Sequence, residues 1–142
     1  VGALQRSGLT LLELVVVILI LALVAGLVGP QIFSRLTEAR TTAARTQIEL
    51  LGTALDSYRL DNGSYPTTEQ GLQALRVKPS IPPIPANWRG PYLRKDVPLD
   101  PWGRPYIYRF PGERNPGGYD LISLGRDGKP GGSGEDADIV GQ

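Results

Sequence analysis

The chain has 142 residues, with 15 Lys and Arg against 14 Asp and Glu, and this net charge of +1 makes no electrostatic case for a nucleic-acid partner. Cysteine and histidine are both absent, which excludes disulfides, thiolate metal sites, and Cys–His or Ser–His–Asp catalysis within the chain. Methionine is missing even at position 1, so a sequence clipped at its start is expected. Most of the 18 Gly and 13 Pro lie after residue 60. That asymmetry separates a helical N-terminal half from a loop-rich C-terminal half.

The first element is the apolar run GLTLLELVVVILILALVAGLVGP, beginning at Gly8. From Leu9 to Val28 it carries one charge, Glu13, and one hydroxyl, Thr10. As a helix these 20 residues extend about 30 Å, the thickness of a bilayer's hydrocarbon core. A cleaved secretory signal has a shorter core of about 7–15 residues followed by a small-x-small site. Here the only candidate site, around Val24 to Gly26, sits inside the run, so a retained span is expected. An acid at the centre of such a span costs on the order of 3 kcal/mol, and less near the interface. One reading of Glu13 is an interfacial side chain reaching the headgroups. The other is an acid that meets a positive partner inside the membrane. No Lys or Arg lies between Leu9 and Gln31. A cut between Gly8 and Leu9 would create an α-amino group one helical turn from Glu13, cationic with a reference pKa of about 7.7–8.0.

Gly8, an apolar residue, Thr10-Leu11-Leu12-Glu13, the apolar run and Pro30 resemble the processing site and N-terminal helix of type IV pilin-like proteins. The resemblance implies that residues 1–8 are a prepilin leader, removed by a prepilin peptidase that cuts after Gly8 and methylates Leu9. It also implies that residues 9–30 form a transmembrane assembly helix, in which Glu13 pairs with the amine of a neighbouring subunit. Counted from Leu9, Glu13 is fifth and Pro30 is twenty-second, as in the family, whereas Leu9 stands where phenylalanine is usual. Charge around the span points the other way on topology. Arg6 precedes it and Arg35, Arg40 and Arg45 follow it, which favours a cytoplasmic C-terminal half by the positive-inside rule. The family places that half outside, and long domains translocate despite their charge.

A kink or break is expected at Pro30, which lacks an N–H and clashes with the preceding turn. Beyond it Ile48, Leu51, Leu55 and Tyr58 recur at helical spacing, while Arg45, Glu49 and Arg59 fall on the opposite face. This predicts an amphipathic continuation of the helix covering a small domain and stopping at Asn62-Gly63. Thr67 and Gln70 have the spacing of a capping box opening a short helix, with Leu72 and Leu75 facing inward. A proline-rich loop follows from Lys78 to Pro91. Two strands are expected over Pro105–Phe110 and Tyr119–Leu124, with a turn at Pro116-Gly117-Gly118 between them. One long helix packed on a small antiparallel sheet is an α+β fold. Asp100-Pro101-Trp102-Gly103 is expected to form a proline-initiated turn with a buried tryptophan.

The last segment, Leu124 to Ile139, gathers Asp127, Glu135, Asp136 and Asp138 among glycines. Such a segment is either a disordered acidic tail or a loop ordered by a hard divalent cation, since calcium takes six to eight oxygens. An EF-hand fails because Lys129 and Gly131 occupy its third and fifth ligand positions. The calcium repeat signature begun by Gly131-Gly132-Ser133-Gly134-Glu135-Asp136 breaks at Asp138 and occurs once.

The segments YPTTEQGLQAL, GPYL, PLDPWGRPYIY and YDLISLGRDG, in that order, resemble the major, G-type pseudopilins of the type II secretion system. The likeness extends from Gly8 to Ile139. It implies one Ca2+ in the C-terminal loop, held by Asp127, Asp136, Asp138 and the Leu124 backbone carbonyl, with Ser133 as a further candidate. It implies that residues 31–142 form a periplasmic domain, with the chain first a single-pass inner-membrane protein and then a filament subunit. Its partners would be copies of itself in a helical homopolymer, minor pseudopilins, the inner-membrane assembly platform, a cytoplasmic secretion ATPase, the prepilin peptidase and membrane lipid. Two other functions compete. A surface type IV pilin for adhesion or motility commonly carries a C-terminal disulfide loop, which a chain without cysteine cannot form. An anchored enzyme would use Asp127 and Asp136 as an acid/base pair, but these two carboxylates have no defined spacing on a glycine-rich loop.

Overall fold

The computed structural model of the chain describes residues 10–141. Gly8 and Leu9, the expected processing pair, lie outside the described residues. The first element is helix α1, Leu11–Asn62. Thr10 caps it, its Oγ1 accepting the Glu13 backbone N–H at 3.1 Å. Glu13 therefore stands in the first turn, where the positive end of the helix dipole favours an acid. The contacts divide the chain into two units between Glu38 and Ala39, and α1 contributes to both.

In the first unit the apolar side chains of α1 lie uncovered, Leu11 being 79% exposed and Leu27 74%. Of the kink or break expected at Pro30, the break does not occur: Pro30 is an interior residue of α1. The carbonyl that a proline ring crowds belongs to the residue four positions earlier. Here that residue is Gly26, whose missing side chain leaves the backbone room to adjust.

In the second unit α1 buries Ala44, Ile48, Leu51, Ala54, Leu55 and Tyr58 and exposes Arg45, Glu49 and Arg59. Burying each large side chain of that stripe contributes about 1.5–3 kcal/mol relative to leaving it in water. The helix stops as expected. Gly63 takes φ 82° and its N–H donates to the Arg59 carbonyl at 2.7 Å, closing the last turn.

Thr67 and Gln70 bond reciprocally, Thr67 N–H to Gln70 Oε1 at 3.0 Å and Gln70 N–H to Thr67 Oγ1 at 3.2 Å. The box closes a turn, and the helical piece after it is a single 3₁₀ turn, Leu72–Leu75, with both leucines buried. The proline-rich loop is fastened by side chains. Gln70 Nε2 donates to the Ile81 and Pro83 carbonyls, and the Trp88 indole donates to the Ala74 carbonyl.

The sheet has three antiparallel strands in the order β1-β2-β3: β1 Ile107–Arg109, β2 Asp120–Ser123 and β3 Ile139–Val140. Ile107 pairs with Ile122 and Ser123 pairs with Ile139. β1 is shorter than the expected Pro105–Phe110. Pro105 has no N–H to offer a ladder, and the Phe110 N–H donates instead to Thr68 Oγ1 at 3.0 Å. All four residues of β2 are buried. The Tyr108 hydroxyl crosses the core to the Pro66 carbonyl at 2.6 Å. The architecture is α+β.

Candidate functional site: the acidic loop and the assembly helix

The acidic segment leaves the sheet at Ser123 and returns to it at Ile139, so both ends are fixed by adjacent strands. Its start is anchored by Asp100, whose Oδ2 accepts the Ser123 hydroxyl at 2.8 Å. The other oxygen of Asp100 accepts the backbone N–H groups of Trp102 at 3.1 Å and Arg104 at 2.8 Å. Asp100-Pro101-Trp102-Gly103 is thus the expected turn, and its carboxylate also holds the loop. Trp102 departs from expectation in being partly exposed. An indole N–H placed in a closed core would need a partner there, and this one reaches Glu135 Oε1 at 3.2 Å instead.

Arg104 braces the loop by donating to the carbonyls of Gly125 and Arg126 at 3.2 and 2.9 Å. Gly125 takes φ 77°, and a Cβ there would lie 2.7 Å from the Ala137 carbonyl oxygen and 2.8 Å from that of Glu135. Only glycine lets the two arms of the loop approach this closely. The Arg126 N–H to Glu135 carbonyl bond, 3.0 Å, joins the arms.

The expected metal ligands are distributed around this frame. Asp127 is exposed and its Oδ1 accepts the Lys129 N–H at 3.1 Å. Asp136 receives two bonds from the Arg126 guanidinium, at 2.9 and 3.1 Å. Asp138 Oδ2 accepts the Gly131 N–H at 3.1 Å and faces the Arg114 guanidinium at 3.5 Å. Ser133 is exposed and its carbonyl accepts the Asp136 N–H at 3.1 Å. Leu124 is half-buried at the head of the loop. Among the described residues no three His, Cys, Asp or Glu side chains gather closely enough to hold a metal ion.

The donor chemistry nevertheless suits a hard cation at the Asp138 end. Asp138 has a side chain only 10% exposed, and its Oδ1 is buried with no hydrogen-bond partner. A buried carboxylate oxygen without a donor is costly and is normally satisfied by water or an ion. Arg126 and Arg104, which brace the loop, were not singled out in the sequence. Glu135 was visible only as one acid among four, and Asp100 only as the first residue of a turn.

On α1 the second candidate region is Glu13 with the apolar surface around it. The window of α1 that is long and apolar enough to cross a membrane has none of its residues buried within the chain. Glu13 is exposed in that surface.

Comparisons with known proteins converge on one system. A family model described as Type II secretion system (T2SS), protein G, matches residues 31–142. The type II secretion system core protein G of Pseudomonas aeruginosa is 51% identical over 135 residues, covering 95% of this chain and 94% of that protein. The corresponding protein of Vibrio cholerae is 46% identical, covering 95% and 90%. The crystal structure of the major pseudopilin from the type 2 secretion system of enterohaemorrhagic Escherichia coli superposes with a TM-score of 0.62. It is 41% identical and covers 72% of this chain and 86% of that one. The chain belongs to the type II secretion system protein G family, the major pseudopilins.

Proposed function

We propose that the chain is the structural subunit that polymerises into the periplasmic pseudopilus and helps export folded proteins across the outer membrane. The observation that carries this reading is the uncovered apolar surface of α1, entered by Glu13 in its first turn. Such a surface is stable in lipid or against other copies of the same helix, and a filament subunit uses both in turn. Family membership favours the secretion filament over a surface pilin for adhesion or motility, since the relatives named above are secretion-system proteins. The family is one of structural subunits, and Asp127 and Asp136 each serve the loop itself, so no enzymatic role is assigned.

The finer steps belong to the same proposal. A prepilin peptidase cuts after Gly8 and methylates Leu9, and the new cationic terminus pairs with Glu13 of a neighbour. The span holds the subunit in the inner membrane with residues 31–142 in the periplasm until assembly. Minor pseudopilins, the inner-membrane platform and the cytoplasmic ATPase then start and drive polymerisation. Calcium, when bound, neutralises the acidic loop, with Asp127, Asp136, Asp138 and the Leu124 carbonyl as its ligands. The unpartnered Asp138 Oδ1 supports that assignment most directly. Asp136 would exchange the Arg126 guanidinium for the ion.

The test is complementation. Cells lacking the gene should stop releasing folded secreted proteins, the full chain should restore release, and a variant carrying Glu13→Ala should stay in the membrane without restoring it. Full restoration by that variant would overturn the proposal.

A further inference from the structure

Glu135 joins three elements at one carboxylate. Its Oε1 accepts the Trp102 indole N–H at 3.2 Å and a guanidinium N–H of Arg40 at 3.3 Å. Its Oε2 faces the Arg126 guanidinium at 3.5 Å. The Glu135 side chain is 12% exposed and that of Arg40 is 48% exposed. Trp102 belongs to the turn anchored by Asp100, Arg126 to the opposite arm of the loop, and Arg40 to α1. Hydrogen bonds between ionised partners are the stronger ones in proteins, and burial of the carboxylate limits their screening by solvent.

Glu135 reaches these partners only when the loop is folded. It sits in the 3₁₀ turn Gly134–Asp136, between Ser133 and Ala137, and follows Gly131 and Gly132, which lose much entropy on ordering. Ordering of the loop thus places Glu135, and ordering of a segment is one of the recurring forms of molecular switch. In the ordered loop Glu135 accepts from both the Trp102 indole and Arg40.

We propose that Glu135 is a positioning residue that couples ion occupancy of the 124–138 loop to Trp102 and to Arg40 of α1. The coupling rests on the calcium reading given above. It is reciprocal: contacts of Glu135 that help order the loop raise the affinity for the ion, and the ion strengthens those contacts in turn. Glu135 itself need not touch the ion.

The experiment uses the full chain in detergent micelles with 5-fluorotryptophan at both tryptophans, the Trp102 resonance being assigned with Trp102→Phe. Calcium binding is followed in parallel by calorimetry. In the parent the Trp102 resonance should shift along the same isotherm as binding. In Glu135→Ala the dissociation constant for calcium should rise by about tenfold and the shift should vanish. Glu135→Gln keeps an oxygen for the indole N–H but loses the charge facing Arg40. It should recover the Trp102 shift while calcium still binds more weakly than in the parent. Arg40→Ala, on a half-exposed surface of α1, should weaken calcium by about threefold although the side chain is no ligand. A Glu135→Ala protein with the parent's dissociation constant and the parent's Trp102 shift would overturn the inference. Calcium binding in the parent with a stationary Trp102 resonance would overturn the inference alone. A parent that binds no calcium would overturn the calcium reading and the inference together.

Discussion

The Ser123 hydroxyl donates to Asp100 Oδ2 at 2.8 Å, and both residues are buried. This bond ties the end of β2, where the acidic loop begins, to the turn that carries Trp102. Replacing Asp100 with alanine would strand that hydroxyl and the N–H groups of Trp102 and Arg104. The buried hydroxyl left unpaired costs about 1–3 kcal/mol and the two part-buried N–H groups, which water can reach, cost less, so Asp100→Ala should destabilise by about 2–4 kcal/mol. Ser123→Ala removes that donor and also the acceptor of the Gly125 N–H at 3.3 Å, and should cost about 1–2 kcal/mol. Denaturant midpoints of the two variants and the parent check the order. A smaller loss for Asp100→Ala than for Ser123→Ala would contradict this account of the loop's anchor.

Asp120 gives the pH dependence. Burial acts to raise its pKa, but the backbone N–H groups of Arg114, Glu113 and Asn115 and the nearby Arg109 charge outweigh it and hold the carboxyl below 3.8. A carboxyl whose folded pKa lies below its unfolded one contributes stability above the unfolded value. That contribution is lost as pH falls through the folded one. The melting temperature should therefore drop as pH is lowered from about 5 toward 2, and the drop should be smaller in Asp120→Asn. Parallel curves for the two proteins would show that Asp120 is not the group responsible.

The helices and strands were legible wherever a period was long enough to see. The stripe from Ile48 to Tyr58 announced α1, and Asn62-Gly63 announced its end. β3 was not legible, because two residues, Ile139 and Val140, carry no period. The strand exists because β2 offers an edge to pair with. At Pro30 a kink or a break was expected, and α1 continues without the break, Gly26 four residues earlier giving the backbone room. In the loop the acids were visible and their partners were not. Arg40 stands 95 positions from Glu135, and only the fold brings such groups together.

Processing is expected to depend on Gly8. Intact mass spectrometry of membrane-purified protein should show loss of residues 1–8 and gain of one methyl group. Gly8→Leu should leave an uncut precursor that stays in the membrane unassembled. Normal cleavage and secretion with that variant would exclude the expected peptidase.

Calcium should stabilise the full chain in detergent. At free calcium 100-fold above the dissociation constant the linkage is about 2.7 kcal/mol, a large share of the 5–15 kcal/mol typical of a domain. Melting should occur at a markedly higher temperature in calcium than in chelator. Asp127→Ala and Asp138→Ala should each abolish the difference, and magnesium should rescue poorly because it holds its waters in tight octahedral geometry. Coincident melting curves in calcium and chelator would remove the ion from the account.

Assembly through Glu13 is the central claim, and electron microscopy of filaments sheared from cells overproducing the chain tests it most directly. Glu13→Ala removes an acid from an apolar helix, so membrane insertion should improve while a neighbour's amine loses its partner. The account predicts abundant filaments from the parent chain and none from Glu13→Ala, with equal amounts of both proteins in the inner membrane. Filaments of normal number and length from Glu13→Ala would contradict it.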